Sequence, residues 1–259
     1  MYEKVITAVM SSSAIPSHPS TEIVDRVIEG IRHHLGDIEI LLLCDGIRTP
    51  EHESRRGAYE EYKLKMRDRP DVRMMEWPTS VQQAFMTREA LRHVKTPLVL
   101  HDEHDYLITP SPIDWEGIIN VIQQGTANVV RFHNLETIHP QHEHLILDGI
   151  FEGADGYHGG TQVKPIPIVC GVPLLRTSQF WGCPFLTTTK WFREQMEDPR
   201  KFSADTYCEI EPALYTWVNT NPDEYRVFIY APSEPSMRRS QHLGGRGHDN
   251  DDPKREMKW

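Results

Sequence analysis

The sequence predicts an α/β fold with a mostly parallel central sheet and helices on both of its faces. The first observation behind this prediction is that the candidate strands, such as 5–10 and 38–44, are apolar along their whole length. Strands of that kind are buried on both faces. The second observation is that these strands alternate with segments of helical periodicity, which is typical of parallel sheets joined by helical crossovers.

The first half of the chain alternates regularly. Strand 5–10 leads into a Ser-rich loop, 11–16, and Ser20 or Thr21 then caps a helix whose apolar residues keep helical spacing up to Gly36. The elements predicted next are a strand at 38–44, a helix at 51–67 that Pro70 stops, a strand at 71–77, a helix at 80–94 and a strand at 98–100.

The second half is less regular. Its predicted elements are helices at 114–124, 190–197 and 211–219, strands at 127–132 and 226–230, and two Pro-interrupted extended pieces within 163–176. No internal repeat and no low-complexity linker divides the chain. We therefore expect a single domain over residues 1–259, made of two halves, 1–107 and 108–232, and a polar tail, 233–259.

Composition excludes several classes of protein. The 259 residues carry a formal net charge of -10, which argues against a surface that binds nucleic acid or anionic membrane throughout. The four cysteines have no C-x-x-C spacing, and no apolar run reaches the length of a membrane span. The N-terminal residues do not form a signal peptide. We expect a soluble cytoplasmic protein with reduced thiols and no membrane span.

Three predicted strands end in polar residues. These ends are Ser11, Ser12 and Ser13, then Asp45-Gly46, and then the run from His101 to Asp105. Because ligands bind at the carboxyl ends of parallel strands, we expect the three groups to share one cleft. Neither G-x-G-x-x-G after the first strand nor a Walker loop occurs, so ordinary dehydrogenase and P-loop functions lose most of their support.

Two carboxylates in the third group are spaced to work together. Glu103 and Asp105 stand two positions apart, and in extended backbone their side chains project to the same side. Paired carboxylates at a strand end suit Mg²⁺ or Mn²⁺, which are held by acidic side chains together with phosphate oxygens and water. A solvated loop with chance acids is the alternative, and the buried strand before them favours the metal site.

The order of these features resembles the GT-A fold glycosyltransferases, in particular inverting, family-2-like members. That order is a strand, a Ser-rich loop, a strand ending in Asp-Gly, a strand ending in an acidic triplet, a late Glu and a later His. Such enzymes move a sugar from a nucleotide-diphosphate carrier to an acceptor, and their D-x-D motif holds a divalent metal against the diphosphate. The matching triplet is Glu103-His104-Asp105, with Glu in place of the first Asp. Asp102-Glu103-His104 is the rival alignment; the former keeps a carboxylate at both ends.

The resemblance implies roles on the nucleotide side. Asp45 would bind the nucleoside, although Asp-Gly is also a turn dipeptide in its own right. The hydroxyls and backbone N–H groups of Ser11, Ser12 and Ser13 would line the nucleotide. On this basis 1–107 is the nucleotide-binding half and 108–232 the acceptor-side half.

The tail, "MRRSQHLGGRGHD" at 237–249, resembles the segment of some of these enzymes that closes over the diphosphate. His242 would complete the metal shell of Glu103 and Asp105. Guanidinium groups pair well with phosphate oxygens, so the resemblance implies that the tail arginines face the diphosphate. These arginines are Arg238, Arg239 and Arg246.

The segment "CEIEPALYTWV", 208–218, supplies the candidate catalytic base. Inverting glycosyltransferases need a carboxylate to take the acceptor's proton, and Glu211 matches that residue. Glu209 is the second candidate and Asp205 the third. A plain helix N-terminal acid is the alternative reading of Glu211. Upstream, 181–185 resembles the acceptor-side loop of the family.

The resemblance therefore implies an inverting hexosyl- or pentosyltransferase that uses Mn²⁺ or Mg²⁺, with a UDP-sugar as the favoured donor. The candidate acceptors are a saccharide, a lipid-linked sugar, a protein side chain and a hydroxylated base in modified DNA. DNA would require a basic stripe, but the basic residues around helix 51–67 are mixed with acids, which favours an ordinary solvated helix. Those basic residues are Arg48, Arg55, Arg56, Lys63, Lys65, Arg67 and Arg69.

Two functions of other classes stay open. One is a metal-dependent phosphoester hydrolase that combines the His101 to Asp105 run with His139, His142 and His144. Those three His are more typical of a surface loop, since no fourth ligand accompanies them. The other is a nucleotide-binding module without catalysis.

Overall fold

The computed structural model describes residues 2–48, 50, 52–135, 138, 140–148, 151–152, 162–163, 167–180, 184–202, 208–232 and 237–244. Its strands are β1 (Ile6–Ser12), β2 (Glu39–Cys44), β3 (Arg73–Glu76), β4 (Leu98–Glu103), β5 (Tyr106–Ile108), β6 (Val129–Phe132), β7 (Phe151–Glu152), β8 (Gln162–Val163), β9 (Ile168–Val169), β10 (Val172–Thr177), β11 (Phe185–Thr188), β12 (Val227–Tyr230) and β13 (Ser240–His242). Its helices are α1 (Glu22–Leu35), α2 (Arg56–Arg67), α3 (Gln82–Leu91), α4 (Trp115–Gln123), α5 (Thr189–Glu197), α6 (Ile210–Thr220) and α7 (Pro222–Tyr225), with 3₁₀ turns at Glu53–Arg55 and Pro140–Leu145.

Within these described residues a nine-stranded sheet has the order β3-β2-β1-β4-β11-β6-β12-β10-β9. Neighbours among β3, β2, β1 and β4 are parallel, as are β6 and β12. β11 lies antiparallel between β4 and β6, and β10 is antiparallel to β12 and β9. The sheet draws strands from both halves of the chain, and its predicted mostly parallel character is confirmed.

Helices cover both faces of the sheet, as predicted. Alternate strand residues point to opposite faces, so each strand contributes to two cores. On one face α1, α2 and α4 pack over residues such as Ala8 and Leu100. On the other face α3, α5 and α6 pack over residues such as Val9 and Val99. No helix in the described parts of the chain is long and apolar enough to cross a membrane.

Two strands extend further than predicted. β1 continues through Ser11 and Ser12, which the sequence assigned to a loop, and β4 continues through Glu103. Both strands have paired neighbours on each side, with Ser11 opposite Glu103 and Ser12 opposite Cys44, so the ladder continues despite the polar side chains. The polar ends of the strands are therefore held in the sheet itself.

Four of the described strands, β5, β7, β11 and β13, were not predicted. β11 is a central strand made of only four residues, Phe185–Thr188, with Thr at half of its positions. β5 and β13 pair with each other, antiparallel, with His242 opposite Tyr106. This pairing places the C-terminal tail beside the end of β4. The local sequence pattern of neither segment predicts it.

Candidate functional site

The carboxyl ends of β1, β2 and β4 line a cavity of about 470 Å³. We call it the polar cavity. The predicted residues that line it are Ser11, Ser12, Ser13, Asp45, Glu103 and His104. The expectation of a shared cleft is therefore met, because all three polar strand ends contribute to one space.

Asp45 is engaged by the chain itself. Its carboxylate accepts hydrogen bonds from the backbone N–H of Val81 at 2.7 Å and from the Ser80 hydroxyl at 2.8 Å, and more distantly from the N–H of Gln82. It thus fixes the loop before α3. Gly46 serves the same loop, since a Cβ there would overlap the backbone of residues 79 and 80. The nucleoside contact of Asp45 stays a prediction, alongside this structural role.

That loop presents Gln83, which sequence reasoning did not single out. Its side-chain Nε2 donates to the Ser11 hydroxyl at 3.2 Å and to Glu103 Oε1 at 3.1 Å. Its Oε1 accepts from the backbone N–H of Ile210 at 3.1 Å. A buried amide therefore joins β1, β4 and α6.

Glu103 and Asp102 alternate across β4. Glu103 lines the polar cavity, whereas Asp102 is 1% exposed and its Oδ1 accepts from the Glu103 N–H. Burial, aided by the charges of Asp105, Glu211 and Glu209, raises the pKa of Glu103 to about 8. Burial also raises the pKa of Asp102. Glu103 is thus the acid of this pair that faces the cavity. His104 also lines the cavity whereas Asp105 does not, so the choice between the two alignments stays a prediction.

Asp105 and His242 are far apart in the sequence but in contact in the fold. Asp105 Oδ2 lies 3.2 Å from His242 Nε2, and the imidazole packs edge-on against the Tyr106 ring. His242 Nδ1 accepts the Gly244 N–H at 3.3 Å, so in a neutral ring Nε2 carries the proton and donates to Asp105. The predicted partnership of the tail histidine with the acidic triplet is therefore present as a direct contact.

The donor types around this point fit a divalent cation, since carboxylate oxygens and imidazole nitrogen are ligands of Mn²⁺ and carboxylates suit Mg²⁺. Several acids that raise one another's pKa also create a need for positive charge. However, among the described residues no three His, Cys, Asp or Glu side chains converge closely enough to hold an ion. Glu103, Asp105 and His242 would have to close together to do so.

Basic side chains at the polar cavity come from the segment between β2 and α2. The sequence interpretation treated the basic residues of this region as part of an ordinary solvated helix. Arg48, His52 and Arg55 all line the cavity. Arg55 donates to the Ala14 carbonyl at 3.0 Å, and Arg48 Nη2 lies 3.8 Å from Glu209 Oε1. The mixture of acids in the same segment concealed this cluster, because sequence spacing does not tell which charges face the cleft.

One tail arginine is corrected. Arg239 is 1% exposed and donates to the carbonyls of Pro112 and Arg238, with its guanidinium over the Tyr230 ring. It anchors the tail and does not face a diphosphate. Arg238 is half-buried, with Nε 3.4 Å from the Ser240 carbonyl oxygen, and its phosphate role stays a prediction. Arg246 lies outside the described residues.

A second cavity, also of about 470 Å³, contains Glu211. We call it the apolar cavity, since its lining surface is mostly apolar. Its apolar lining residues are Leu145, Phe180, Pro212 and Tyr215. Its other described lining residues are His142, His144 and Gln179.

Glu211 is a desolvated acid beside this cavity. Burial is the main cause that raises its pKa to about 7; the buried Arg131 guanidinium opposes the shift and Glu209 adds to it. Among the described residues its Oε1 has no hydrogen-bond partner. An oxygen of this kind can accept a proton from a bound group.

The start of α6 separates the two cavities. Glu209 lines the polar cavity and Glu211 the apolar one, with buried Ile210 between them. The two cavities therefore adjoin at this helix start, and the acids on either side belong to different compartments. Asp205, His139 and residues 181–183 of the acceptor-loop match lie outside the described residues.

The geometry separates the parts of the predicted hydrolase site. His101 is 4% exposed and stacks on Phe185, and His142 and His144 line the apolar cavity, whereas Glu103 lines the polar one. In the described residues these side chains do not form a common metal cluster.

No protein-family model matches the sequence, and no curated protein is significantly similar to it. Solved structures do match. GalNAc-T7 with UDP, GalNAc and Mn²⁺ has a TM-score of 0.52 at 11% identity, covering 92% of this chain and 43% of that chain. The mannosyltransferase PcManGT from Pyrobaculum calidifontis, in complex with GDP-Man and Mn²⁺, has a TM-score of 0.47 at 12% identity, covering 89% and 58%. TarS from S. aureus has 0.46 at 10%, covering 87% and 35%.

At these identities the likeness concerns the fold, and it confirms the predicted GT-A architecture. The chain spans less than two thirds of the length of each of these structures.

Proposed function

We propose that this protein is a metal-dependent glycosyltransferase that moves a sugar from a nucleotide-diphosphate sugar to an acceptor hydroxyl. The observation that carries the proposal is the pair of adjoining cavities on a GT-A fold, with Glu103 in one and Glu211 in the other. In a transfer reaction the donor and the acceptor must come into contact, and the two cavities adjoin at the start of α6.

The polar cavity is the proposed donor site. A diphosphate brings negative charge, and Arg48 and Arg55 can each donate several N–H groups to phosphate oxygens. Asp45 and the Ser11 to Ser13 segment would face the nucleoside. UDP-sugars remain the favoured donors, and hexose and pentose are both open.

Glu103, Asp105 and His242 would hold Mn²⁺ or Mg²⁺. The bound ion would supply charge stabilisation to the leaving diphosphate. Asp105 and His242 now contact each other, and both side chains would have to turn toward the ion to hold it. Without the ion the clustered acids would repel an anionic donor.

Glu211 is the proposed base. As the acceptor oxygen attacks the anomeric carbon, the bond from that carbon to the diphosphate oxygen breaks and the hydroxyl proton passes to the Glu211 carboxylate. Attack from the face opposite the diphosphate inverts the configuration. A pKa of about 7 matches this task, because the carboxylate is available at neutral pH and is basic enough to accept the proton.

The apolar cavity is the proposed acceptor site. Two of the candidate acceptors, a saccharide and a hydroxylated base in modified DNA, present a ring that can stack on Tyr215. The described wall also contains His142, His144 and Gln179, which can pair with acceptor hydroxyls, so its lining leaves both of these acceptors open.

The test is a panel of UDP-, GDP- and dTDP-sugars, with and without Mn²⁺, monitored for binding and slow hydrolysis. We expect one nucleotide class to bind and hydrolyse only with metal, and Asp105→Asn to abolish that binding. If no donor binds in a metal-dependent way, the proposal is wrong. Release of phosphate from a simple ester without a sugar donor would support the hydrolase instead, and donor binding with no turnover on any acceptor would support the binding module.

A further inference from the structure

We infer that Gln83 is a positioning residue that couples the two cavities, holding Glu103 in one orientation and fixing the start of the helix that carries Glu211. The expected effects on metal binding and transfer rest on the proposed function, whereas the contacts of Gln83 are structural observations. Gln83 lines the polar cavity and is 7% exposed.

The orientation of the Gln83 amide follows from its partners. A backbone N–H can only donate, so the oxygen of the amide must face Ile210, 3.1 Å away. The NH₂ group then faces Glu103 Oε1 and the Ser11 hydroxyl. A flipped amide would set its oxygen against the carboxylate and its NH₂ against the Ile210 N–H, losing both bonds.

Each contact has a defined effect. Ile210 is the first residue of α6, and its N–H is one of the donors that a helix cannot satisfy internally, so Gln83 caps this helix from outside. The bond to Glu103 fixes one oxygen of the only β4 acid that lines the polar cavity in the described chain. The backbone bond from Ala84 N–H to the Cys208 carbonyl at 3.0 Å supports the same junction.

Gln83 is itself held in place. Asp45 binds the backbone N–H groups of Val81 and Gln82, and Gln82 adopts φ 61°, a left-handed conformation that non-glycine residues rarely occupy. Strained backbone persists where its surroundings determine it. The loop therefore gives the Gln83 side chain a fixed origin between the two cavities.

The test replaces Gln83 with Met, which keeps the length of the side chain and removes both ends of the amide. Two quantities are measured: the apparent affinity for Mn²⁺ with saturating UDP, from the EPR signal of free Mn²⁺, and the ratio of sugar transferred to acceptor over sugar released to water. We expect Gln83→Met to weaken Mn²⁺ binding at least threefold and to lower the transfer ratio at least tenfold.

A control on the same helix separates positioning from stability. Ala90→Gly lowers helix stability within α3 without removing a Gln83 contact, so it should lower the melting temperature and leave both quantities within twofold of wild type. Gln83→Asn, one methylene shorter, cannot reach both partners and should behave as Gln83→Met does; it serves if Gln83→Met fails to fold.

The inference is wrong if folded Gln83→Met or Gln83→Asn keeps both the Mn²⁺ affinity and the transfer ratio of the wild type. It is also wrong if Ala90→Gly loses as much of both quantities as the Gln83 variants do. Failure of the proposed function looks different, because wild-type protein would then transfer no sugar at all. If the wild type binds Mn²⁺ with UDP but transfers no sugar, the Mn²⁺ measurement still reports on the contact between Gln83 and Glu103.

Discussion

The two cavities have the same volume, about 470 Å³, and opposite linings. Arg48 and Arg55 bring positive charge to the polar cavity beside its acids, whereas Phe180 and Tyr215 bring aromatic rings to the apolar one. Charged phosphates need compensating charge, while an acceptor hydroxyl needs a desolvated base. Under the proposed function, the difference assigns charge stabilisation and proton removal to separate compartments that meet at the start of α6.

The largest expected effect tests whether proton removal belongs to the apolar cavity. Glu211→Gln should lower the rate of transfer by about 10²- to 10⁴-fold, the usual contribution of a general base. The dissociation constant of the variant for the donor should stay within about twofold of the wild-type value, because Glu211 lines the apolar cavity and not the donor site. Rates come from product analysis and binding from calorimetry.

Glu209→Gln is the matched comparison, since Glu209 lies two positions away and lines the polar cavity. If Glu209→Gln stops transfer and Glu211→Gln does not, the base belongs to the donor side and the division between the cavities fails.

Stability against pH gives the next effect. Burial raises the pKa of Glu211 from 4.5 to about 7, so the folded protein binds more protons than the unfolded chain between those values. Its contribution to the free energy of unfolding therefore falls as pH rises through that window. Gln carries no charge, so Glu211→Gln should be more stable than wild type at pH 8, by at most about 3 kcal/mol, and show little gain at pH 4.

Urea unfolding at the two pH values measures this gain. An equal stability change at both would mean that the Glu211 carboxylate is not penalised by burial. The same titration predicts that transfer by the wild type rises as pH increases through about 7, where the base becomes charged.

The polar cavity is tested by its cations. Arg48→Ala and Arg55→Ala should each weaken donor binding by about tenfold or more, since a hydrogen bond to a charged group contributes roughly 1.5–3 kcal/mol. Arg56→Ala is the control, because Arg56 pairs with Glu53 and does not line the cavity. Equal losses in all three would indicate a general charge effect, and donor binding unchanged in Arg48→Ala and Arg55→Ala would remove them from the site.

The sequence predicted much of this arrangement because local pattern determines it. Apolar strands alternating with helices gave the fold, and polar residues at strand ends gave the location of the polar cavity. Even the distant meeting of Asp105 with His242 was anticipated, through the resemblance.

Features set by long-range pairing were not predictable. β4 extends to Glu103 because β1 continues beside it, with Ser11 opposite Glu103. β11, which pairs with β4 only as far as His101, is too short to stand out. Arg239 looks like a phosphate ligand in a basic tail, but its burial against Tyr230 depends on where the tail docks. Gln83 is uncharged and belongs to no motif, so the sequence did not single it out. Its contacts depend on β1, β4 and α6, which only the fold brings together.

The smallest expected effect concerns the acceptor. Tyr215 is 38% exposed at the apolar cavity, so a stacked acceptor ring would cover it. Tyr215→Ala should raise the KM for the acceptor by about three- to tenfold, in line with roughly 1 kcal/mol for one aromatic contact, and leave donor binding unchanged. Thr216→Ala, an exposed neighbour on α6, should change neither quantity. A loss of donor affinity in Tyr215→Ala would show that the two compartments are not independent.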